Sequence, residues 1–150
     1  MRRHTLAIIL LLALTACQKG QEQDSYKFGA VLPLTGSNSF FGEFAKVGIE
    51  LAIEDINQNG GINGKPINAL FEDSASNKAQ ANTGAQKLVS LDQVDALFTV
   101  TPPMAGVLAP IAETSQVPFI YISATSFSEG KNYAFKDYPD SILSIWRDIY

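Results

Sequence analysis

The side chains that most often carry out chemistry in proteins are scarce in this sequence. Its 150 residues include one cysteine, Cys17, and one histidine, His4, and both lie near the start of the chain. A nucleophilic serine or cysteine needs a base, most often a histidine, and structural zinc sites are built from cysteine and histidine. We therefore expect neither histidine-assisted nucleophilic catalysis nor a Cys/His metal site in the body of the chain.

Carboxylates are the remaining candidates for acid–base chemistry, and three of them lie close together. Glu50, Glu54 and Asp55 fall within one predicted helix, at positions that its apolar residues do not use. Charged residues on the side of a helix away from its apolar stripe are usually solvated. We interpret this cluster as a solvated face and not as a catalytic pair.

A glycine-rich stretch at 59–66, NGGINGKP, has some features of a phosphate-binding loop. That motif requires glycine where Asn59 stands and serine or threonine where Pro66 stands. A phosphate-binding loop also follows a strand, whereas this stretch precedes one. The nucleotide-binding pattern G-x-G-x-x-G does not follow the first predicted strand either, so neither motif predicts a nucleotide site.

From residue 26 onward the chain alternates strand and helix patterns. Short apolar runs predict strands at 26–32, 66–73, 95–100 and 117–123, with a short one near 133–135. Apolar residues at helical spacing predict helices at Glu43–Asn57, at Lys78–Leu91, after Pro103 and at Ser141–Tyr150. The predicted apolar face of the first helix is Phe44, Val47, Gly48, Leu51, Ala52 and Ile56, and that of the last is Ile142, Ile145, Trp146 and Ile149.

This alternation predicts an α/β fold, in which a parallel sheet is flanked by helices. The continuous apolar runs of the third and fourth strands favour coverage on both faces. In such sheets ligands bind beyond the carboxyl ends of the strands. The loops expected there are rich in hydroxyl groups, glycine and proline and poor in charge, which suits a small polar ligand. They are residues 33–41, 73–77, 101–104 and 123–127.

The segment before Cys17 has the features of an export signal. Arg2 and Arg3 precede an apolar stretch at 6–16, which is shorter than the about 20 residues that a membrane-spanning helix needs. The four residues at 14–17, Leu-Thr-Ala-Cys, resemble the bacterial lipobox. That resemblance implies removal of the residues before the cysteine and attachment of lipid to its sulfur.

We therefore predict a lipoprotein signal peptide at 1–16 and a lipidated polar tether at 17–25. The protein would lie in the periplasm or at the cell surface, anchored to a membrane by lipid at Cys17, because more than one acyl chain makes such anchoring stable. Gln18 leaves the choice between inner and outer membrane open. A plain signal peptide with an unmodified cysteine is the alternative.

Removal of the signal also changes the charge of the chain. The net charge of the whole sequence is −4, and the loss of Arg2 and Arg3 leaves nine Lys and Arg against 15 Asp and Glu, which is −6. Nucleic-acid partners favour clustered basic residues. We expect no nucleic-acid partner and no cofactor.

Several motifs together resemble one known family. They are Leu-Thr-Gly at 34–36, Phe-Gly at 41–42, Asp-Ile-Asn at 55–57, Gly-Gly-Ile-Asn-Gly at 60–64, Asp73 at a strand end, and the stretches 109–126 and 135–140. With this combination, residues 26–145 resemble the leucine/isoleucine/valine-binding proteins, the type I periplasmic substrate-binding proteins of ABC importers. The resemblance implies a ligand-binding lobe, an amino acid or a related small polar ligand, an ABC permease as partner and no enzymatic activity.

The resemblance also implies a set of ligand-binding residues. Ser123, Ala124 and Thr125 match residues that contact the charged groups of an amino-acid ligand, and Phe41 matches an aromatic residue that lines the cleft. The position of a carboxylate-binding serine is occupied by Pro102, which has neither a hydroxyl nor an N–H group. Thr101 and the amide of Met104 are the candidate replacements, and the change argues against an ordinary branched-chain amino acid.

Members of that family have two lobes, and this sequence matches the first. We therefore expect residues 26–150 to form an incomplete N-terminal lobe, either as a fragment or as a natural truncation. Two other functions stay open at this point. One is a ligand-sensing lipoprotein that does not act with a permease, and the other is an exported hydrolase with Ser123 as its nucleophile, which lacks a histidine base.

Overall fold

The computed structural model describes residues 24–138, which form one five-stranded sheet. All paired strands are parallel and their order is β2-β1-β3-β4-β5. The strands are β1 (Tyr26–Leu32), β2 (Ile67–Asp73), β3 (Ala96–Val100), β4 (Phe119–Ile122) and β5 (Ala134–Lys136), and the helices are α1 (Ser39–Gln58), α2 (Lys78–Ser90) and α3 (Pro102–Ser115). The predicted α/β class with a parallel sheet is confirmed.

One face of the sheet is covered by α2 and α3. Leu97, Phe119 and Tyr121 are fully buried there and belong to the same core as Leu88 of α2 and Leu108 of α3. The start of α2 is fixed by Asn77, whose side-chain oxygen accepts hydrogen bonds from the backbone N–H groups two and three residues later, at 2.8 and 3.2 Å. This is the capping role expected of asparagine at that position.

The opposite face is covered by α1, and here the predicted apolar face of the helix is wrong. Ala45 and Ile49 pack on the second core around Ala30, Leu32 and Val100. The predicted face instead points largely to solvent. Phe44 is 66% exposed, Val47 53% and Leu51 62%. The error arises because apolar residues occupy more than half of the helix circumference, so the periodicity does not single out one stripe.

The fourth strand is covered on one face only within the described residues, contrary to the sequence-based expectation. Phe119 and Tyr121 are buried under α3, whereas Ile120 and Ile122 on the other face are 37% and 38% exposed. The neighbouring Phe135 of β5 is 53% exposed. The helix predicted at 141–150 lies outside the described residues.

The last two residues of the predicted tether contact the fold. Asp24 forms an ion pair with Lys65, and the Ser25 hydroxyl accepts a 2.9 Å hydrogen bond from the Asn68 amide. The predicted signal peptide and Cys17 lie outside the described residues. Within residues 24–138, every helix is too short or too polar to cross a bilayer.

Candidate ligand-binding site

The carboxyl ends of the strands meet at one edge of the sheet because every strand pair is parallel. Leu32 pairs with Asp73 there, and Val100 pairs with Ile122. The loops after β1, β3 and β4 therefore lie side by side, as the sequence predicts. The loop after β2 contacts the loop after β1 and supports it.

A concave pocket of about 710 Å³ lies at this edge. Its volume is within the range of ligand sites, about 300–1,000 Å³. Five of the six residues predicted to bind a ligand line it, namely Phe41, Thr101, Pro102, Ser123 and Ala124. Thr125 is not among the lining residues, and a contact between Thr125 and a ligand stays a prediction.

The loop after β4 is held by two internal contacts. The Ser123 hydroxyl donates a hydrogen bond to the Thr125 carbonyl oxygen at 2.9 Å and accepts one from the Thr125 N–H group at 3.0 Å. Further along, the buried Tyr121 hydroxyl accepts a 2.7 Å hydrogen bond from the Phe127 N–H group. Since its only proton is already donated, Ser123 offers a ligand an acceptor and not a donor.

The loop after β3 is strained and poor in donors. Thr101 has φ 77° and ψ 137°, a backbone conformation that residues with a side chain rarely adopt and that often marks functional sites. Pro102 and Pro103 open α3 without N–H groups, and the N–H group of Ala105 is bonded to the Thr101 carbonyl oxygen at 3.1 Å. The start of α3 is therefore a weaker anion site than an ordinary helix N-terminus.

The loop after β1 is fixed by Asp73 at the end of β2. One carboxylate oxygen accepts hydrogen bonds from the N–H groups of Leu34, Thr35 and Ala75 at 2.9, 3.2 and 2.7 Å, and the other accepts one from the Thr35 hydroxyl at 2.6 Å. Partial burial by itself raises the pKa of Asp73. The hydrogen bonds from Thr35, Ala75 and Leu34 outweigh this and hold the pKa below its ordinary value of 3.8.

A close approach of α1 to the end of β1 places Phe41 beside the pocket. A Cβ atom on Gly42 would lie 2.1 Å from the Pro33 carbonyl oxygen, so only glycine fits between the helix and this strand end. Asn38 is held by a 3.1 Å hydrogen bond from its N–H group to the Ser76 hydroxyl. Phe41 is left 55% exposed at the pocket wall.

The chemical character of the pocket is apolar with a few neutral polar groups. No charged side chain is among the described residues that line it, and the polar ones are Asn38, Thr101, Ser123 and Tyr138. No group of three carboxylate, histidine or cysteine side chains suited to a metal occurs within residues 24–138. The wall can therefore enclose the apolar body of a small molecule and accept or donate a few hydrogen bonds.

The two rejected motifs lie away from this pocket. Glu50, Glu54 and Asp55 are exposed on α1, which confirms the interpretation of a solvated face. The glycine-rich stretch forms a tight turn between α1 and β2, closed by hydrogen bonds of 2.8 and 3.0 Å between Ile62 and Lys65. It lies at the amino end of β2, the opposite edge of the sheet from the pocket.

Sequence reasoning misses residues that shape or support the site. In the sequence Asp73 stands out only as a motif residue, although a carboxylate just after a strand and a Thr-Gly pair in the preceding loop are both visible there. Tyr121 supports the site from the buried face of β4, and its spacing alone indicates only a core residue. Tyr138 lines the pocket from beyond β5 and has no distinguishing pattern in the sequence.

The fold is a lobe built on a parallel sheet, with an apolar pocket at the carboxyl edge of its strands. A family model described as periplasmic binding protein matches residues 25–140. The chain therefore belongs to the periplasmic binding protein family, and the resemblance to leucine/isoleucine/valine-binding proteins is confirmed. A curated relative, Leu/Ile/Val-binding protein homolog 8 of Brucella abortus (strain 2308), is 31% identical over 117 residues, which are 75% of this chain and 29% of the relative.

Solved structures show the same similarity. The branched-chain amino acid transporter substrate binding protein LivJ of Streptococcus pneumoniae, in complex with isoleucine, matches with a TM-score of 0.72 and 28% identity over 75% of this chain and 33% of its own. A solute binding protein of an ABC transporter from Rhodopseudomonas palustris BisB5, in complex with 3,4-dihydroxy benzoic acid, matches with a TM-score of 0.69 and 27% identity over 77% of this chain and 32% of its own. The chain thus spans about a third of the length of these proteins.

Proposed function

We propose that this chain is the first ligand-binding lobe of an extracytoplasmic substrate-binding component of an ABC importer. The observation that carries the proposal is the pocket at the carboxyl edge of the sheet, where three loops bring together Phe41, Thr101, Pro102, Ser123 and Ala124. Membership of a family of binding proteins supports it and agrees with the expectation that the chain is not an enzyme.

The ligand in this proposal is a small molecule with an apolar body, and Pro102 argues against an ordinary branched-chain amino acid. The described part of the pocket has no charged side chain, and the two prolines at the start of α3 remove two of the N–H donors that could hold a carboxylate there, so the amide of Met104 stays the candidate replacement. Ser123 suits an ammonium or hydroxyl group on the ligand, because only its acceptor capacity is free. The bound isoleucine and dihydroxybenzoic acid of the two structural relatives combine an apolar body with such groups.

The proposed location is the outer side of a membrane, with lipid at Cys17 as the anchor. This rests on the basic and apolar residues before Cys17 and on the Leu-Thr-Ala-Cys sequence at 14–17. The permease partner rests on the family alone. Growth on the ligand as sole nutrient source, abolished by deletion of this protein and restored by the wild-type sequence, tests the import role and separates it from ligand sensing.

A thermal-shift screen tests the binding role. It requires a two-lobe form, in which residues 26–150 are joined to the remaining two thirds of a relative such as those named above. We expect 3,4-dihydroxybenzoate to raise the melting temperature more than isoleucine or leucine does, because Pro102 argues against an ordinary branched-chain amino acid, and glutamate and urea to leave it unchanged. Stabilisation by glutamate or urea alone would contradict the apolar-bodied ligand.

A further inference from the structure

The ends of β3 and β4 bring two hydroxyl-bearing residues next to each other. Val100 pairs with Ile122, and these are the last residues of the two strands. The N–H group of Thr101 donates a 3.2 Å hydrogen bond to the Ile122 carbonyl oxygen, which continues the ladder by one residue. Thr101 and Ser123 are therefore neighbours across the two strand ends, and both line the ligand pocket.

A third hydroxyl-bearing residue follows in the same register just after β5. Tyr121 pairs with Lys136, and the N–H group of Asp137 donates a 2.9 Å hydrogen bond to the Tyr121 carbonyl oxygen. This register, continued by one more residue, places Tyr138 beside Ser123, and Tyr138 lines the same pocket. Neighbouring strands are about 4.8 Å apart, so three residues in this register span about 10 Å of the pocket.

We call Thr101, Ser123 and Tyr138 the hydroxyl row, and their hydrogen-bonding states differ. Ser123 is 3% exposed and donates its proton to the Thr125 carbonyl oxygen, so it can only accept a hydrogen bond from a ligand. Within residues 24–138, neither the Thr101 hydroxyl nor the Tyr138 hydroxyl forms a hydrogen bond. The row thus presents one acceptor between two hydroxyl groups that can donate or accept.

This arrangement discriminates among the polar groups that a ligand can carry. A carboxylate has no proton to donate to Ser123. An ammonium group can donate, but none of the described residues that line the pocket is charged, and burial of an unpaired charge is costly. A hydroxyl group is neutral, and it can donate to Ser123 while it accepts from Thr101 or Tyr138.

We propose that the hydroxyl row binds a hydroxyl group of the ligand and that Tyr138 sets the preference for hydroxylated compounds. The inference rests on the proposed function, because the row is part of the same pocket. Phe41 and Phe44 of α1 add aromatic surface to the pocket, and aromatic rings pack favourably on one another. The ligand class is therefore a hydroxylated aromatic compound.

Tyr138→Phe tests the inference because it keeps the ring and removes the hydroxyl. Calorimetry on the two-lobe form compares 3,4-dihydroxybenzoate with benzoate, which shares the ring and the carboxylate. We expect the wild type to prefer dihydroxybenzoate, and Tyr138→Phe to reduce this preference by about five- to tenfold, the effect of one hydrogen bond. Tyr26→Phe is the matched control and should keep the preference, because Tyr26 begins β1 at the opposite edge of the sheet.

Saturation-transfer NMR on the purified 150-residue chain detects weak binding and should give the same order of the two compounds. Equal affinity for the two compounds in the wild type, or an unchanged preference in Tyr138→Phe, would overturn the inference and leave the proposed function standing. Tighter binding of isoleucine than of dihydroxybenzoate would do the same. Binding of none of the three compounds to the two-lobe form would contradict the proposed function, and the inference with it.

Discussion

The Thr35 hydroxyl donates a 2.6 Å hydrogen bond to the Asp73 carboxylate, and this contact joins the loop after β1 to the end of β2. Asp73 accepts three further hydrogen bonds from backbone N–H groups, so one side chain orders the whole start of the loop that leads to Phe41. The pocket wall after β1 therefore depends on a residue that does not itself line the pocket.

The lowered pKa of Asp73 predicts how the stability of the lobe depends on pH. Because the folded pKa lies below the unfolded value, the stabilisation is fully present above about pH 4 and is lost as the pH falls through the folded pKa. Chemical denaturation at a series of pH values checks this. We expect the stability of the wild type to fall more steeply below pH 4 than that of Asp73→Asn, and parallel curves would contradict the role of Asp73.

Replacement of Thr35 tests the same contact at neutral pH. Thr35→Val keeps the shape of the side chain but removes the hydroxyl, and we expect a loss of about 1 kcal/mol in the free energy of unfolding. In the Asp73→Asn background the same substitution should cost less, because the charged acceptor is gone. Equal costs in both backgrounds would show that the two residues are not coupled.

The contact between Gly42 and Pro33 predicts opposite effects for two glycines in α1. Gly42→Ala would place a Cβ atom 2.1 Å from the Pro33 carbonyl oxygen, and we expect a loss of about 1–3 kcal/mol from overpacking. Gly48 is the matched control. No atom lies within 4 Å of the position that a Cβ atom would take there, so Gly48→Ala should stabilise the helix by about 0.5–1 kcal/mol. Urea unfolding measures both, and equal effects would contradict the close approach.

The backbone of Thr101 predicts that one substitution at the pocket stabilises the fold. Glycine accepts φ 77° without strain, so Thr101→Gly should raise the free energy of unfolding by about 1 kcal/mol, after the entropy cost of glycine is deducted. Thr83→Gly, in the ordinary helix α2, should lower it. If Thr101→Gly is less stable than Thr83→Gly, the backbone of Thr101 is not strained in solution.

The proposed lipid attachment at Cys17 predicts a change in the mass of the mature protein. Mass spectrometry of the mature wild-type protein should find an acylated N-terminus at Cys17, whereas Cys17→Ser should remain unacylated and uncleaved at that site. A mature N-terminus elsewhere without an acyl mass would remove the lipoprotein proposal and leave the ligand pocket unaffected.

Much of the fold follows from local patterns, because buried parallel strands and amphipathic helices have distinct periodicities. Each described strand lies within two residues of its predicted bounds. The predicted start of α1 is four residues late, at Glu43 instead of Ser39, since Phe40, Phe41 and the following glycine do not resemble a helix start. Gly42 is needed for a contact with Pro33 that no local pattern reveals.

The candidate site is predictable only in part for the same reason. Hydroxyl groups and prolines at strand ends identify the loops, and the family resemblance singles out Ser123 and its neighbours. The internal pairing of Ser123 with Thr125 depends on the turn that the backbone makes after β4, and the strain at Thr101 depends on how α3 packs against the sheet. Such features arise from tertiary packing and cannot be recognised from the spacing of residue types along the sequence.

The central claim is that the pocket at the carboxyl edge binds the apolar body of a small ligand. Isothermal titration calorimetry of the two-lobe form, with the most stabilising compound of the thermal-shift screen, tests it most directly. Phe41 lines the pocket and is half-exposed, so Phe41→Ala should weaken binding by about 1.5–3 kcal/mol, which is tenfold or more, without unfolding the lobe. Leu91→Ala, far from the pocket, should leave the dissociation constant unchanged. An unchanged dissociation constant in Phe41→Ala would contradict the claim.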